Sequence, residues 1–294
     1  MRKESFLSAQ SEIQDYLYSD NLKAYTTFDI TKIFEKMRNE WSIANYRNQY
    51  HFMKFLEDVN ILKNIKLKHQ DTGSIKQVFI EPNVSKFYMA QTIKKEGYLS
   101  NYSAMQIHQL TLQIPKSIYL SYSHSKSNKE NRGERKELLQ QSIDNAFSRP
   151  QRATSDVYRS EIDNSKIFLI QKEYNPKKIG IIEKDGLFYT DLERTLIDIA
   201  IRPAYSGGIF EVLDAFKNSK EKVDVDKLES YLEELDYIYP YHQLIGYYMD
   251  KAGYEPKKLE KFVAKISNLN FYLTYNISNK LLDNDWRVYY PTGF

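Results

Sequence analysis

The densest group of carboxylates in the sequence is Glu183, Asp185, Asp191, Glu193 and Asp198, with Lys184 among them. Acids gathered beside a lysine invite a metal-dependent nuclease, in which a bound cation activates water and clamps phosphate oxygens. Their spacing points elsewhere. Thr190 stands three residues ahead of Glu193, as in a capping box, hydroxyl to a free backbone N–H and carboxylate back to the cap. Asp191 and Asp198 share a helix face but lie about 10 Å apart along its axis. Asp198 also falls four residues from both Arg194 and Arg202, where ion pairing accounts for it. The five histidines, at 51, 69, 108, 124 and 242, form no H-E-x-x-H pair, and no glycine loop is built to cradle phosphate. With no cysteine there is neither a thiolate metal site nor a disulfide. No catalytic residue, metal or cofactor is therefore assigned, and the chain is read as a non-enzyme.

Binding chemistry is better represented. A helix predicted from about Ala44 to Val59 turns Tyr46, Tyr50, Met53, Leu56 and Val59 inward. Its other face carries Asn45, Arg47, Asn48, Gln49, His51 and Lys54, side chains able to bond base edges and phosphates. Acids are absent from Ser42 to Leu56, unlike an ordinary solvated face. Two strands follow, Ile61 to Lys68 and Ile75 to Ile80, joined by the turn Asp71-Thr72-Gly73-Ser74. Lys63, Lys66, Lys68 and Lys76 on them suit phosphates beside a groove.

The elements that must position these residues are two earlier helices, about 5 to 18 and about 28 to 40, the second with Ile30, Ile33, Phe34 and Met37 as its stripe. Three helices and a hairpin within about 80 residues is the order of a winged helix-turn-helix. We assign it to residues 1–90, with a helical connector, Lys86 to Glu96, leading into a larger α+β domain over 97–294. That domain opens with a helix from Leu99 to Leu110 and a strand from Ser117 to Tyr122. It continues with a helix from about Glu134 to Phe147 and short strands at Ile167 to Ile170, Ile179 to Ile182 and Leu187 to Tyr189. A central run of five helices comes next, and strands at Phe271 to Tyr275 and Trp286 to Tyr290 close the chain. Within the run, Pro203 stops one helix, Gly207-Gly208 turns the chain, and Ile209, Val212, Leu213 and Phe216 start the next stripe. The later stripes are Leu228, Tyr231, Leu232 and Leu235; Tyr241, Leu244, Ile245 and Tyr248; and Leu259, Phe262, Val263 and Ile266. The stripes of 97–294 are enough for a core of its own.

Several short motifs carry a resemblance. Asp191-Leu192-Glu193-Arg194 with Asp198, Arg202-Pro203, Tyr205 and Gly207-Gly208-Ile209 resembles the AbiEi antitoxins of bacterial abortive-infection, type IV toxin–antitoxin operons. Gly97-Tyr98-Leu99-Ser100, Tyr102-Ser103-Ala104, Ile114-Pro115 with Ile118-Tyr119, and Tyr239-Pro240-Tyr241 with Gln243 are similar to that family in the same order. The resemblance implies a winged-helix repressor of its own promoter, bound at repeated half-sites of double-stranded DNA. It also implies a second domain that counteracts a nucleotidyltransferase-like toxin without a stable complex. A winged-helix-guided metal-dependent nuclease and a protein-binding adaptor are the alternatives.

Net charge is +3, but basic residues cluster: Lys116 to Arg152 holds eight Lys or Arg against four acids. Of these, Arg135, Arg149 and Arg152 are the candidate surface of the second domain, with Lys126, Lys129 and Arg132 in a charged loop before them. No apolar run is long enough to cross a membrane and none reads as a signal peptide, so a cytoplasmic protein without a membrane partner is expected.

Overall fold

The computed structural model describes residues 6–19, 22–123, 137–173 and 177–294. The chain is a mixed α+β fold built on one curled nine-stranded sheet with helices on both faces. Helix α1 (Gln10–Ser19) buries Ile13 and Leu17. Strand β1 (Ala24–Thr26) leads into α2 (Thr27–Met37), which opens on a capping box between Thr26 and Asp29 and buries Ile30, Phe34 and Met37. Helix α3 covers Gln49–Asp58, not 44 to 59. Asn48 is the reason. In extended conformation, its side chain accepts the His51 N–H at 3.1 Å while its own N–H donates to His51 Nδ1 at 3.3 Å. That exchange starts the helix there. The buried stripe becomes Phe52, Met53, Phe55 and Leu56, and Tyr46 and Tyr50, expected inward, are 74% and 72% exposed. Phe6, Phe34, Trp41 and Phe52 pack ring on ring to centre this first core.

The hairpin forms, as β2 (Lys63–His69), which starts two residues later than expected because Ile61 and Leu62 turn into the first core, and β3 (Ile75–Ile80), with β1 added to β3. After α4 (Lys86–Gln91), which ends five residues short of the expected connector, come β4 (Tyr98–Leu99) and α5 (Tyr102–Ile107). The helix expected from Leu99 starts late because Leu99 pairs in the sheet and Asn101 takes φ +51°. Then follow β5 (Ser117–Ser123), α6 (Gln140–Phe147), β6 (Val157–Ser160), β7 (Lys166–Lys172), β8 (Ile181–Lys184) and β9 (Leu187–Thr190). The sheet order is β1-β3-β2-β6-β7-β5-β4-β9-β8. Strand β6 was not expected, being only four residues, and it pairs antiparallel with both β2 and β7. The sheet therefore runs without a break from residues 1–90 into the rest of the chain. One core is shared the same way: Leu67, Val78 and Ile80 pack with Ile118, Leu120, Ile167 and Leu169.

The helical run is α7 (Leu192–Ile201), α8 (Ile209–Ser219), α9 (Val225–Leu235), α10 (Tyr241–Lys251) and α11 (Pro256–Val263). Gly207 and Gly208, at φ +83° and +97°, make the turn between α7 and α8 that the sequence suggested. The expected capping box of α7 is not formed. Asp191 is the cap, accepting the Arg194 N–H at 2.9 Å, while Thr190 ends β9 and bonds Thr195. Glu193 reaches away to the Asp224 N–H at 3.0 Å. Val263, expected in the stripe of α11, is 52% exposed. A second sheet, β10 (Phe271–Tyr272), β12 (Val288–Pro291) and β11 (Lys280–Asp283) in that order, closes over α10, with Trp286 against Gly246. Among the described residues no helix is long and apolar enough to cross a membrane.

Candidate nucleic-acid interface

Helix α3 presents one side of its first two turns to solvent. Tyr50, His51 and Lys54 are exposed there and Gln49 is half-buried, whereas Glu57 and Asp58 make the last turn acidic. The acid-free face is thus the helix N-terminus and the segment before it, where a docked helix meets base edges and where its dipole favours an anion. Asn45 and Arg47 lie in that segment, not on the helix. Asn45 is exposed, and its carbonyl accepts from Arg38 Nη2 at 3.4 Å. Arg47 spreads its guanidinium over the rings of Phe6 and Tyr46, at 5.6 and 5.3 Å, and its buried Nε has no hydrogen-bond partner. Asn48 is engaged as the cap, leaving His51 Nε2 as that ring's outward atom. Tyr46 and Tyr50, missed from the sequence because both were counted on the inward stripe, add two exposed hydroxylated rings. For Tyr46 the signal was the cap residue type at Asn48, which starts the helix after it; for Tyr50 it was the stripe Phe52, Phe55, Leu56 and Val59 at i, i+3, i+4, i+7.

The four lysines of the hairpin are split by the pleat. Successive side chains alternate faces and paired residues share one. Lys66 and Lys68 follow Asn64, which pairs with Phe79 on the face carrying α1 to α3. Lys63 and Lys76 belong to the other face. There Lys76 donates to the Ile93 carbonyl at 3.1 Å and lies over Tyr158; burial, with Lys94 nearby, holds its ammonium below the usual range. Lys66 and Lys68 therefore join the α3 surface, and Lys63 and Lys76 do not.

Further along the chain, Arg149 and Arg152 are exposed in the irregular segment between α6 and β6. Phe147 anchors that segment, stacked on Tyr275 at 4.2 Å and buried with Phe271 and Tyr272. Arg135, with Lys126, Lys129, Arg132 and His124, lies outside the described residues.

The carboxylate group is drawn into structural work. Asp198 is fully buried, accepting from Arg194 Nε at 3.2 Å and Lys172 Nζ at 3.3 Å. Burial opposes its charge, but the two cations outweigh it and hold the carboxyl below the usual range. Tyr98, beside them, has its hydroxyl pushed up to about 12 by burial. Lys227 bridges Asp191 and Glu193 at 3.0 and 2.9 Å, and Tyr231 donates to Asp191 at 2.9 Å. Glu183 and Asp185 stay on the exposed β8–β9 hairpin. Among the described residues no three His, Asp or Glu side chains are grouped to hold a metal ion. His69 pairs with Asp156 at 3.2 Å, and His108 bonds the Thr190 carbonyl at 2.7 Å.

No family model matches the chain, and no curated protein sequence does. A solved structure, that of the RV2827C protein from Mycobacterium tuberculosis, is similar in fold with a TM-score of 0.58 and 15% identity, covering 96% of this chain and 91% of that one. At that identity the likeness concerns the fold alone.

Proposed function

We propose that the chain is a DNA-binding transcriptional repressor and antitoxin that acts by binding, in the cytoplasm, without a cofactor. Residues 1–90 serve as a winged helix-turn-helix that recognises repeated half-sites in its own promoter. Residues 97–294 counteract a nucleotidyltransferase-like toxin without a stable complex. One observation carries the DNA reading: the acid-free N-terminal half of α3 shares a side of the molecule with Lys66 and Lys68 of the hairpin. Support for the antitoxin role is the AbiEi resemblance of motifs that fall after residue 97, with Arg149 and Arg152 as the exposed cations available to it.

A mobility-shift titration on the DNA upstream of the gene tests the reading. The wild type should bind it in preference to a scrambled duplex. Alanine at Arg47 should cost about 1–3 kcal/mol of binding if that side chain bonds a base edge. Equal affinity of wild type and a combined Arg47→Ala, Gln49→Ala, Lys54→Ala variant for the promoter duplex would sink the assignment.

A further inference from the structure

A row of like charges crosses from one half of the chain to the other. By register, Lys68 of β2 stands beside Arg159 of β6, and Arg159 beside Lys166 of β7. Exposed Ile75 of β3 flanks the row at one end and Ser117 of β5 at the other. Paired residues share a face, and this one is the face of Tyr25 and Phe79, on which α1 to α3 pack. Two residues along β7, Phe168 stacks on Tyr119 at 5.1 Å, and Tyr119 meets Tyr205 of the turn after α7. The row therefore lies between the two helical bodies, on the sheet surface that both flank.

Like charges directly opposite on neighbouring strands, about 4.8 Å apart, destabilise a sheet unless something compensates them. Elsewhere the fold supplies compensation: Lys172 meets Asp198, Lys23 meets Glu81, and Lys86 meets Asp163. None of Lys68, Arg159 and Lys166 has an ion-pair or side-chain hydrogen-bond partner among the described residues. Glu161 stands across from Lys66, two residue pairs further on and on the same face, so this acid flanks the row at Lys66 and is not a member of it. Lys68 and Arg159 are exposed and Lys166 is half-buried, which leaves all three within reach of a surface ligand.

We infer that Lys68, Arg159 and Lys166 form one phosphate-binding row, so that both halves of the chain grip the backbone of the same DNA duplex. The inference rests on the DNA-binding reading above and extends it past residue 90. Lys68 is the shared end, Arg159 offers a planar fork to phosphate oxygens, and Lys166 adds a point charge. Such contacts hold and orient the duplex without reading its sequence.

The test uses full-length protein carrying Arg159→Ala and Lys166→Ala, with fluorescence anisotropy on the promoter duplex and a scrambled duplex across a salt series. Binding should weaken on both, and the slope of log affinity against log salt should fall by about 1.8, or about 0.9 for each phosphate no longer neutralised. The charge-keeping pair Arg159→Lys and Lys166→Arg should restore the wild-type slope; failure to restore it would trace the loss to structure and overturn the row. An unchanged slope in the alanine pair, while Lys66→Ala with Lys68→Ala lowers it, overturns the row and leaves the DNA reading standing. A loss confined to the promoter duplex with the slope intact overturns it too, by showing that these side chains meet bases. If the wild type binds neither duplex, the DNA reading itself fails, and the row with it.

Discussion

Asp198 shows how one residue can mislead a reader of the sequence and still matter most locally. Among clustered carboxylates it looks catalytic, yet it sits fully buried between Arg194 and Lys172, with one oxygen, Oδ2, unsatisfied. Removing its charge strands the buried Arg194 and the partly buried Lys172, so Asp198→Asn should destabilise the fold by about 3–5 kcal/mol at neutral pH. The sign of the pH dependence follows from the carboxyl's lowered titration. Its stabilisation is present above the unfolded value, about 4, and is lost as pH falls below that through the folded value. Urea unfolding of both proteins at pH 7 and pH 3 checks this: the difference should be larger at the first than at the second. An equal difference at both would show that the charge is not what Asp198 contributes.

At the scale of elements, α10 is packed against its neighbours by the absence of a side chain. A Cβ on Gly246 would lie 2.1 Å from Trp286 Cζ3 and 3.0 Å from Phe262 Cβ. Alanine is better than glycine in a helix by roughly 1 kcal/mol, but overpacking of this kind costs about 1–3 kcal/mol or more. The second effect should win, because the indole cannot retreat: its Nε1 donates to Asp250 at 3.2 Å and its ring is 4% exposed. Gly246→Ala should therefore lower the thermal midpoint, and Gly246→Ala with Trp286→Leu should recover part of the loss. A raised midpoint in the single variant would mean that propensity dominates and the packing relaxes freely.

For the whole molecule the decisive feature is β6, which joins the hairpin to the rest of the sheet. A chain beginning at 97 would bare one edge of β6 and lose Leu67, Val78 and Ile80 from the shared core. The two tryptophans report the two ends separately, since Trp41 is buried in the first core and Trp286 in the helical one. In Trp41→Phe and Trp286→Phe proteins, fluorescence should give coincident urea midpoints after correction for each substitution's own effect, as a cooperative unit requires. Transitions separated by more than that correction would mean that the halves unfold independently despite the common sheet.

Local rules made the helices with strong stripes legible: α2, α8 and α9, with the Asp224 cap and the Gly207-Gly208 turn, stand close to where periodicity and turn chemistry put them. They are decided by neighbours three and four residues away, which the sequence displays. The two strands of the hairpin, β2 and β3, were legible for the same reason. Which lysines share a face with α3 was not, because the pleat could be read but the side of the sheet that the helices cover could not. Nor was β6, a four-residue strand without a pattern of its own, held by partners about 90 residues upstream and a few residues downstream. The roles of Asp191, Glu193 and Asp198 depended likewise on Lys227, Tyr231 and Lys172, which only the packing of α7 against α9 and the sheet brings within bonding distance. Charge and periodicity are properties of the chain, whereas burial and pairing belong to contacts between distant segments, and those exist only once it has folded.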